Sequence, residues 1–220
     1  VYGAVNLGWK HMLYFDATLR GDQSSTLPIS NNMYIYPSFS GSFVFSELLK
    51  LGDKLPYGKV RMSWAQVGSD TDPYQLGLVY TKSKFAYPGY TIGYISNGTI
   101  PNKDLKPTKT NSFEMGLELK FLKNRIGLDF TYYSQLSKNQ IMGMASSSTA
   151  GYGYRLINAG EIENKGVEIA LNTRPIQTKD FSWDLNFNFS KNSNKVKKLV
   201  DDMDMFELEK ATWLDVQVAA

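Results

Sequence analysis

Glu114, Glu118, Asp129 and Glu168 are the residues whose type and spacing come nearest to catalytic chemistry. Two carboxylates flanking a glycosidic bond could serve as general acid and base in its hydrolysis. Each of the four, however, lies in a stretch where apolar and polar residues alternate. All stand on the polar side, as do Lys59, Arg61 and Lys120. In that setting carboxylates read as water-facing charges paired with cations, and no catalytic residue is expected. The single histidine, His11, lies in a tight turn and reads as a solvated turn residue. A Ser-His-Asp triad or a His-based metal site would have to use it. The sequence has no cysteine, which removes disulfides, thiolate ligands and Cys nucleophiles. Gly151-Tyr152-Gly153-Tyr154 is no phosphate loop, because no helical pattern follows it. Asp70 and Asp72 offer calcium-compatible carboxylates, but their segment lacks the spacing of a calcium loop and reads as an Asp/Pro turn. Neither a metal nor a cofactor is expected.

Aromatic residues in the connections are the better candidates for ligand contact. Residues 68–107 hold Tyr74, Tyr80, Phe85, Tyr87, Tyr90 and Tyr94, and residues 138–165 hold Tyr152 and Tyr154. Exposed rings stack on the apolar faces of sugars, and a Tyr hydroxyl adds a polar handle. Tyr87, Tyr90, Tyr94, Tyr152 and Tyr154 are therefore the candidate ligand-binding residues. Packing of the loops against each other, or against a covering protein, would use the same rings.

The elements that must position these residues are strands. Phe113, Met115, Leu117, Leu119 and Phe121 alternate with Ser112, Glu114, Gly116, Glu118 and Lys120. Ile126, Leu128, Phe130 and Tyr132 alternate with Gly127, Asp129 and Thr131. The same period of two recurs at residues 13–20, 59–64, 167–172 and 181–190. Such alternation marks a strand with one apolar and one polar face. Strands are expected near residues 2–10, 12–22, 33–46, 59–67, 108–121, 125–137, 166–174 and 181–191. Most approach the ~9–11 residues that a tilted strand needs to cross a bilayer.

Alternation alone allows either a soluble β-sandwich or a membrane β-barrel. Composition is neutral between them. Mean hydropathy is -0.32, no apolar run approaches the ~18 residues of a membrane helix, and aromatic residues make up 14%. The net charge of +3 is too small, and too evenly spread, to argue for nucleic acid. The connections discriminate. Links at 10–12, 122–124 and 175–180 are short and that at 47–58 is intermediate; those at 21–32, 68–107 and 138–165 are longer. Short and long links alternate, as periplasmic turns and extracellular loops do in a transmembrane barrel. The fold class expected is all-β, an antiparallel transmembrane β-barrel. Arg61, Glu114, Glu118, Asp129 and Glu168 then become lumen-facing. Trp9, Tyr132 and Trp183, read as near strand ends, suit interfacial girdles, and Trp64 should face lipid. Open sheet edges are not tolerated in lipid, so about eight strands are expected to belong to a larger barrel. Residues 213–220 read as the start of a further segment. A small closed outer-membrane barrel with a structural or adhesion role, and a soluble carbohydrate-binding sandwich, are the alternatives.

Four collinear motifs sharpen this. Tyr14-Phe15-Asp16-Ala17-Thr18-Leu19-Arg20-Gly21-Asp22-Gln23-Ser24-Ser25 resembles a strand and turn of SusC/RagA-like TonB-dependent transporters. Tyr36-Pro37-Ser38-Phe39-Ser40, with Ser46-Glu47, resembles that family's F-P-S-x-S…S-E strand. Lys59-Val60-Arg61-Met62-Ser63-Trp64 is similar to its K-L-R-x-S-Y-G strand, with Trp64 where Tyr is typical. Asn158-Ala159-Gly160-Glu161-Ile162-Glu163-Asn164-Lys165-Gly166-Val167-Glu168 is similar to its N-x-G-x-I-x-N-x-G-V-E signature. The resemblance implies a 22-stranded outer-membrane barrel closed by a plug and energised through TonB. It also implies a SusD-like surface lipoprotein as lid, with oligosaccharide or peptide substrates. Residues 1–220 would be part of the barrel domain, with plug and TonB box outside it.

Overall fold

The computed structural model describes residues 1–49, 52–78, 80–84, 88–95, 98–147, 149 and 151–199, and the backbone of 205–211 and 214–219. Strands β1 (Tyr2–Trp9), β2 (Leu13–Gln23), β3 (Met33–Val44) and β4 (Tyr57–Ser69) come first, with a short helix α1 (Phe45–Leu49) between β3 and β4. The long link after β4 contains β5 (Tyr80–Lys82), β6 (Gly93–Ile95) and β7 (Thr99–Ile100). Then follow β8 (Thr108–Phe121), β9 (Ile126–Ala145), β10 (Tyr154–Gln177) and β11 (Ser182–Lys198). The last two strands, β12 (Met205–Ala211) and β13 (Leu214–Ala219), pair as a separate hairpin.

The eight long strands form one antiparallel sheet in the order β1-β2-β3-β4-β8-β9-β10-β11. Directly opposed residues share a face, so register carries each face across the sheet. One row reads Trp9, Leu13, Phe43, Val60, Leu117, Phe130, Ile169 and Phe189 from β1 to β11. The adjacent row reads Gly8, Tyr14, Ser42, Arg61, Gly116, Thr131, Glu168 and Ser190. A one-residue slip in any strand would mix the two faces. The apolar face is uncovered: Leu7 is 60% exposed, Met62 50% and Phe187 59%. Among the described residues no second sheet packs on it, which removes the β-sandwich alternative. Among them β1 pairs only with β2 and β11 only with β10, so these strands do not close as a small eight-stranded barrel.

Connections sort by end. The described residues of 10–12, 45–56, 122–125 and 178–181 lie at one end of the sheet, and those of 24–32, 70–107 and 146–153 at the other. Lys10 and His11 have φ of 50° and 53°, and the Met12 N–H donates to the Trp9 carbonyl at 3.0 Å. Two positive φ values in succession are the mark of the tight hairpin turn that matches strand twist. At the long-loop end, Leu27, Leu105 and Leu156 bury one another against Tyr34, Leu76 and Ile141.

Three expectations change. The link expected over 138–165 is mostly strand, because β9 runs 20 residues and β10 runs 24, leaving only 146–153 between them. These strands outrun a bilayer crossing, and where lipid no longer sorts the faces the alternation fades from the sequence. Tyr132 consequently sits within β9 and not near its end, whereas Trp9 and Trp183 do lie at the short-turn end. The third strand stops at Val44, since Phe45–Leu49 turns as a short helix that holds the good helix formers Glu47, Leu48 and Leu49. The Phe45 ring folds back over Gly58, where no side chain competes.

Candidate functional site

The polar face is a hydrogen-bonded wall with Arg61 at its centre. Arg61 on β4 faces Gly116 on β8, which faces Thr131 on β9. Gly116 has no side chain, so the Arg61 guanidinium lies flat across β8 and reaches two strands away. Nη1 and Nη2 each donate to an Asp129 carboxylate oxygen at 2.9 Å, and Nη2 donates to Thr131 Oγ1 at 2.6 Å. This paired-fork contact fits the planar guanidinium and would not fit lysine. Glu114 Oε1 stands 3.9 Å from Nε. Glu118 pairs with Lys120 at 3.6 Å, and Lys120 also lies over the Tyr57 ring. Glu168 lines a recess of about 350 Å³ shared with Arg61, Asp129 and Thr131. The structure thus brings Arg61, Glu114, Asp129 and Glu168 into one neighbourhood, with Glu118 beside it.

A second glycine slot repeats the device. Gly166 on β10 faces Tyr133 on β9 and Asn192 on β11. The Tyr133 ring crosses the slot and its hydroxyl donates to Asn192 Oδ1 at 3.2 Å. On the early strands Asp16 accepts from Asn6 Nδ2 and from Ser40 Oγ, linking β1, β2 and β3. Asp16, Tyr133 and Asn192 were not among the residues singled out from sequence. Their polar types at even spacing opposite apolar neighbours are the signal that marks them.

The long-loop end is tied down by two side-chain clamps. Asn158 Oδ1 accepts from the Lys106 N–H at 2.7 Å, while its Nδ2 donates to the Lys106 carbonyl at 2.6 Å and the Asn139 carbonyl at 3.1 Å. A side-chain amide here does the work of a strand backbone, and it seats Leu105 in the leucine cluster. Asp70 accepts from Ser24 and from Thr26, joining the β2–β3 loop to the loop after β4. The Ser24 hydroxyl, followed by that of Thr26, holds the Asp70 carboxyl below the usual carboxylate range. Asp70 is therefore a loop clamp. Among the described residues no group of three or more metal-ligating side chains gathers around it or elsewhere.

The candidate tyrosines are distributed over this end. Tyr94 lies on β6 opposite Thr81, and Tyr154 opens β10 opposite Ala145 and Thr99. Tyr90 is 74% exposed and Tyr154 54%, while Tyr152 is half-buried. Tyr87 lies outside the described residues. Among the described residues no ring pair joins Tyr90, Tyr94, Tyr152 and Tyr154. The two loops meet where the Gly153 and Tyr154 N–H groups donate to the Gly98 carbonyl at 2.8 and 3.0 Å. His11 is exposed in its turn.

One open sheet with an uncovered apolar face, a hydrogen-bonded polar face and long loops sorted to one end is a section of transmembrane β-barrel wall. The chain belongs to the TonB dependent receptor-like β-barrel family, whose description it matches over residues 1–206. It is 30% identical over 214 residues to TonB-dependent receptor P3 of Formosa agariphila, covering 94% of this chain and 21% of that protein. It is also 30% identical over 215 residues to TonB-dependent receptor SusC of Bacteroides thetaiotaomicron, covering 93% of this chain and 21% of that protein. The chain therefore spans about a fifth of the length of these curated relatives. The fold superposes on the RagAB peptide importer in its closed-closed state with a TM-score of 0.86 at 23% identity, covering 94% of this chain and 23% of that one. The siderophore receptor PirA from Pseudomonas aeruginosa aligns less closely, with a TM-score of 0.57 at 20% identity over 89% of this chain and 34% of that one.

Proposed function

We propose that this chain supplies wall strands and long loops of an outer-membrane nutrient importer of the SusC/RagA kind, energised through TonB. The observation that carries the reading is the pair of continuous faces across all eight strands. The apolar face suits lipid, and the polar face, with Arg61, Glu114, Glu118, Asp129 and Glu168, lines an aqueous lumen. No hydrolytic step belongs to it: Asp129 accepts from Arg61 and from the Thr131 hydroxyl, and Glu118 pairs with Lys120, so these carboxylates act as wall charges. Substrate contact is assigned to the long-loop end, with Tyr90, Tyr94, Tyr152 and Tyr154 as stacking rings and Tyr87 as a further candidate. A SusD-like lipoprotein would cover that end. Oligosaccharides are the substrate class proposed, because exposed tyrosines suit sugar faces; peptides are the second reading, favoured by the superposition on a peptide importer.

The test is growth of the source bacterium with the full-length gene deleted, on an oligosaccharide pool or a peptide pool as sole carbon source. Loss of growth on oligosaccharides, restored by the gene but not in a strain lacking TonB, is the expected result. Loss on peptides alone transfers the assignment to the second reading. Undiminished growth on both overturns the transport role.

A further inference from the structure

The apolar face does not stay apolar along the full length of its strands. On β10 it reads Leu171, Ile169 and Val167 and then turns to Lys165, Glu163 and Glu161 toward the long-loop end. From Gln177 to Val167 the strand is about one bilayer crossing long, so the change falls where lipid tails should end. Each neighbour makes the same change within a few residues, staggered by register: Lys191 already faces Val167, while Ser134 and Leu136 on β9 and Asn111 on β8 come before Lys138 and Lys109, which lie level with Glu161. On β9 the face passes from Phe130 and Tyr132 to Lys138, on β8 from Phe113 to Lys109, and on β11 from Phe189 to Lys191 and Lys195. Lys197, at a register shift of β11, reaches Glu163 on this same face at 3.3 Å.

The charges do not balance. Lys109, Lys138, Lys165, Lys191, Lys195, Lys197 and Lys198, the last directly opposite Glu161, share this band with only Glu161 and Glu163 among the described residues. Glu161 pairs with Lys138 at 3.0 Å, and Glu163 with Lys165 and Lys197 at 3.2 and 3.3 Å. Lys109 and Lys138 are directly opposed across β8 and β9, and this repulsion between like charges is offset only where Glu161 pairs with Lys138. The seven lysines extend over four adjacent strands, just above a lipid-facing surface.

We propose that this lysine band binds the phosphate groups of lipid headgroups in the outer leaflet. The proposal rests on the membrane reading above and adds a lipid site that the transport role does not require. Each lysine near an anionic membrane surface contributes about 1 kcal/mol to such binding. Because the headgroup is held at this height by its own tails, a membrane phosphate meets the band without the loss of freedom that a dissolved anion would suffer.

The experiment uses the full-length protein in detergent and titrates phosphatidylglycerol, phosphatidylcholine or inorganic phosphate, counting bound molecules by native mass spectrometry. Phosphatidylglycerol should bind in preference to phosphatidylcholine, and a Lys109→Gln, Lys191→Gln, Lys195→Gln triple variant should weaken it roughly ten- to hundred-fold. Lys→Arg at the same three positions should retain binding, which separates charge from fold. Equal binding of both lipids, retention of the preference in the Gln variant, or inorganic phosphate binding as tightly as phosphatidylglycerol each overturns the proposal. Failure of the protein to take up detergent or lipid at all would instead overturn the membrane reading.

Discussion

Gly116 and Gly166 show why a wall of β-strands needs gaps in its side-chain lattice. A methyl group at Gly116 would stand 2.6 Å from the Arg61 Cζ; one at Gly166 would press on the Lys191 backbone carbonyl and stand 2.6 Å from the Tyr133 hydroxyl. Neither long side chain could then lie across the neighbouring strand to its partner. Gly127, on the same polar face, differs: an added methyl group would come no nearer than 3.9 Å to Asn172. The same substitution at the two sites therefore separates the slot from any general cost of glycine replacement. Gly116→Ala should destabilise by about 1–3 kcal/mol, because Arg61 must leave Asp129 or the strands must spread. Gly127→Ala should change stability by no more than about 0.5 kcal/mol. Urea unfolding of the full-length protein, followed by tryptophan fluorescence, would measure both, and equal costs would remove the slot as an explanation. Neither glycine role can be read from spacing alone. A glycine on the polar face of a strand looks like a weak point until the register shows which residue crosses it.

Among the elements, the strands that stay within the bilayer span were the most legible. Residues 108–121 are bounded alike in the alternation and in β8, because lipid on one side and water on the other force a strict period of two. Lys138–Ala145 and Tyr154–Lys165 escaped that reading. There Ile141, Met142 and Met144 lie close together and Leu156 packs with Leu27 and Leu105, an environment that imposes no single apolar face. The signature beginning at Asn158 was visible as a resemblance, yet its physical content emerges only from the fold. Asn158 seats the end of the long loop, Gly160 takes a φ of 79°, and Gly166 admits Tyr133. Replacing Asn158 with alanine leaves the Lys106 N–H and carbonyl without their partner. The expected outcome is a loss of about 1–3 kcal/mol of local stability, confined to the loop root. Hydrogen exchange should speed up at Lys106 and its neighbours while β8 keeps its protection. Unchanged exchange at Lys106, or loss of protection throughout β8, would show that the clamp is not what holds this segment.

Over the whole molecule, the two faces must answer to different solvents, and neighbouring residues of one strand can test that directly. Trp64 stacks on Phe39 at 6.0 Å between ring centroids and shares the apolar face with Met62. Ser63, its neighbour, points to the polar face opposite Ser40 and Glu114. Both positions are half-buried, and in a soluble sheet an arginine at either would cost little, since its long side chain would reach water. In a barrel wall the two sites diverge. Trp64→Arg places a charge in the hydrocarbon and should cost roughly 2–4 kcal/mol if the site is near the bilayer midplane, and less toward an interface. Ser63→Arg enters an aqueous lumen beside Glu114 and should change stability by less than about 1 kcal/mol. The comparison belongs in lipid vesicles, with the full-length protein refolded from urea and scored by the gel-mobility shift of folded barrels. A matching small effect at both positions would mean that the exposed apolar face does not meet lipid, and the lysine band above it would lose its reason to face a headgroup.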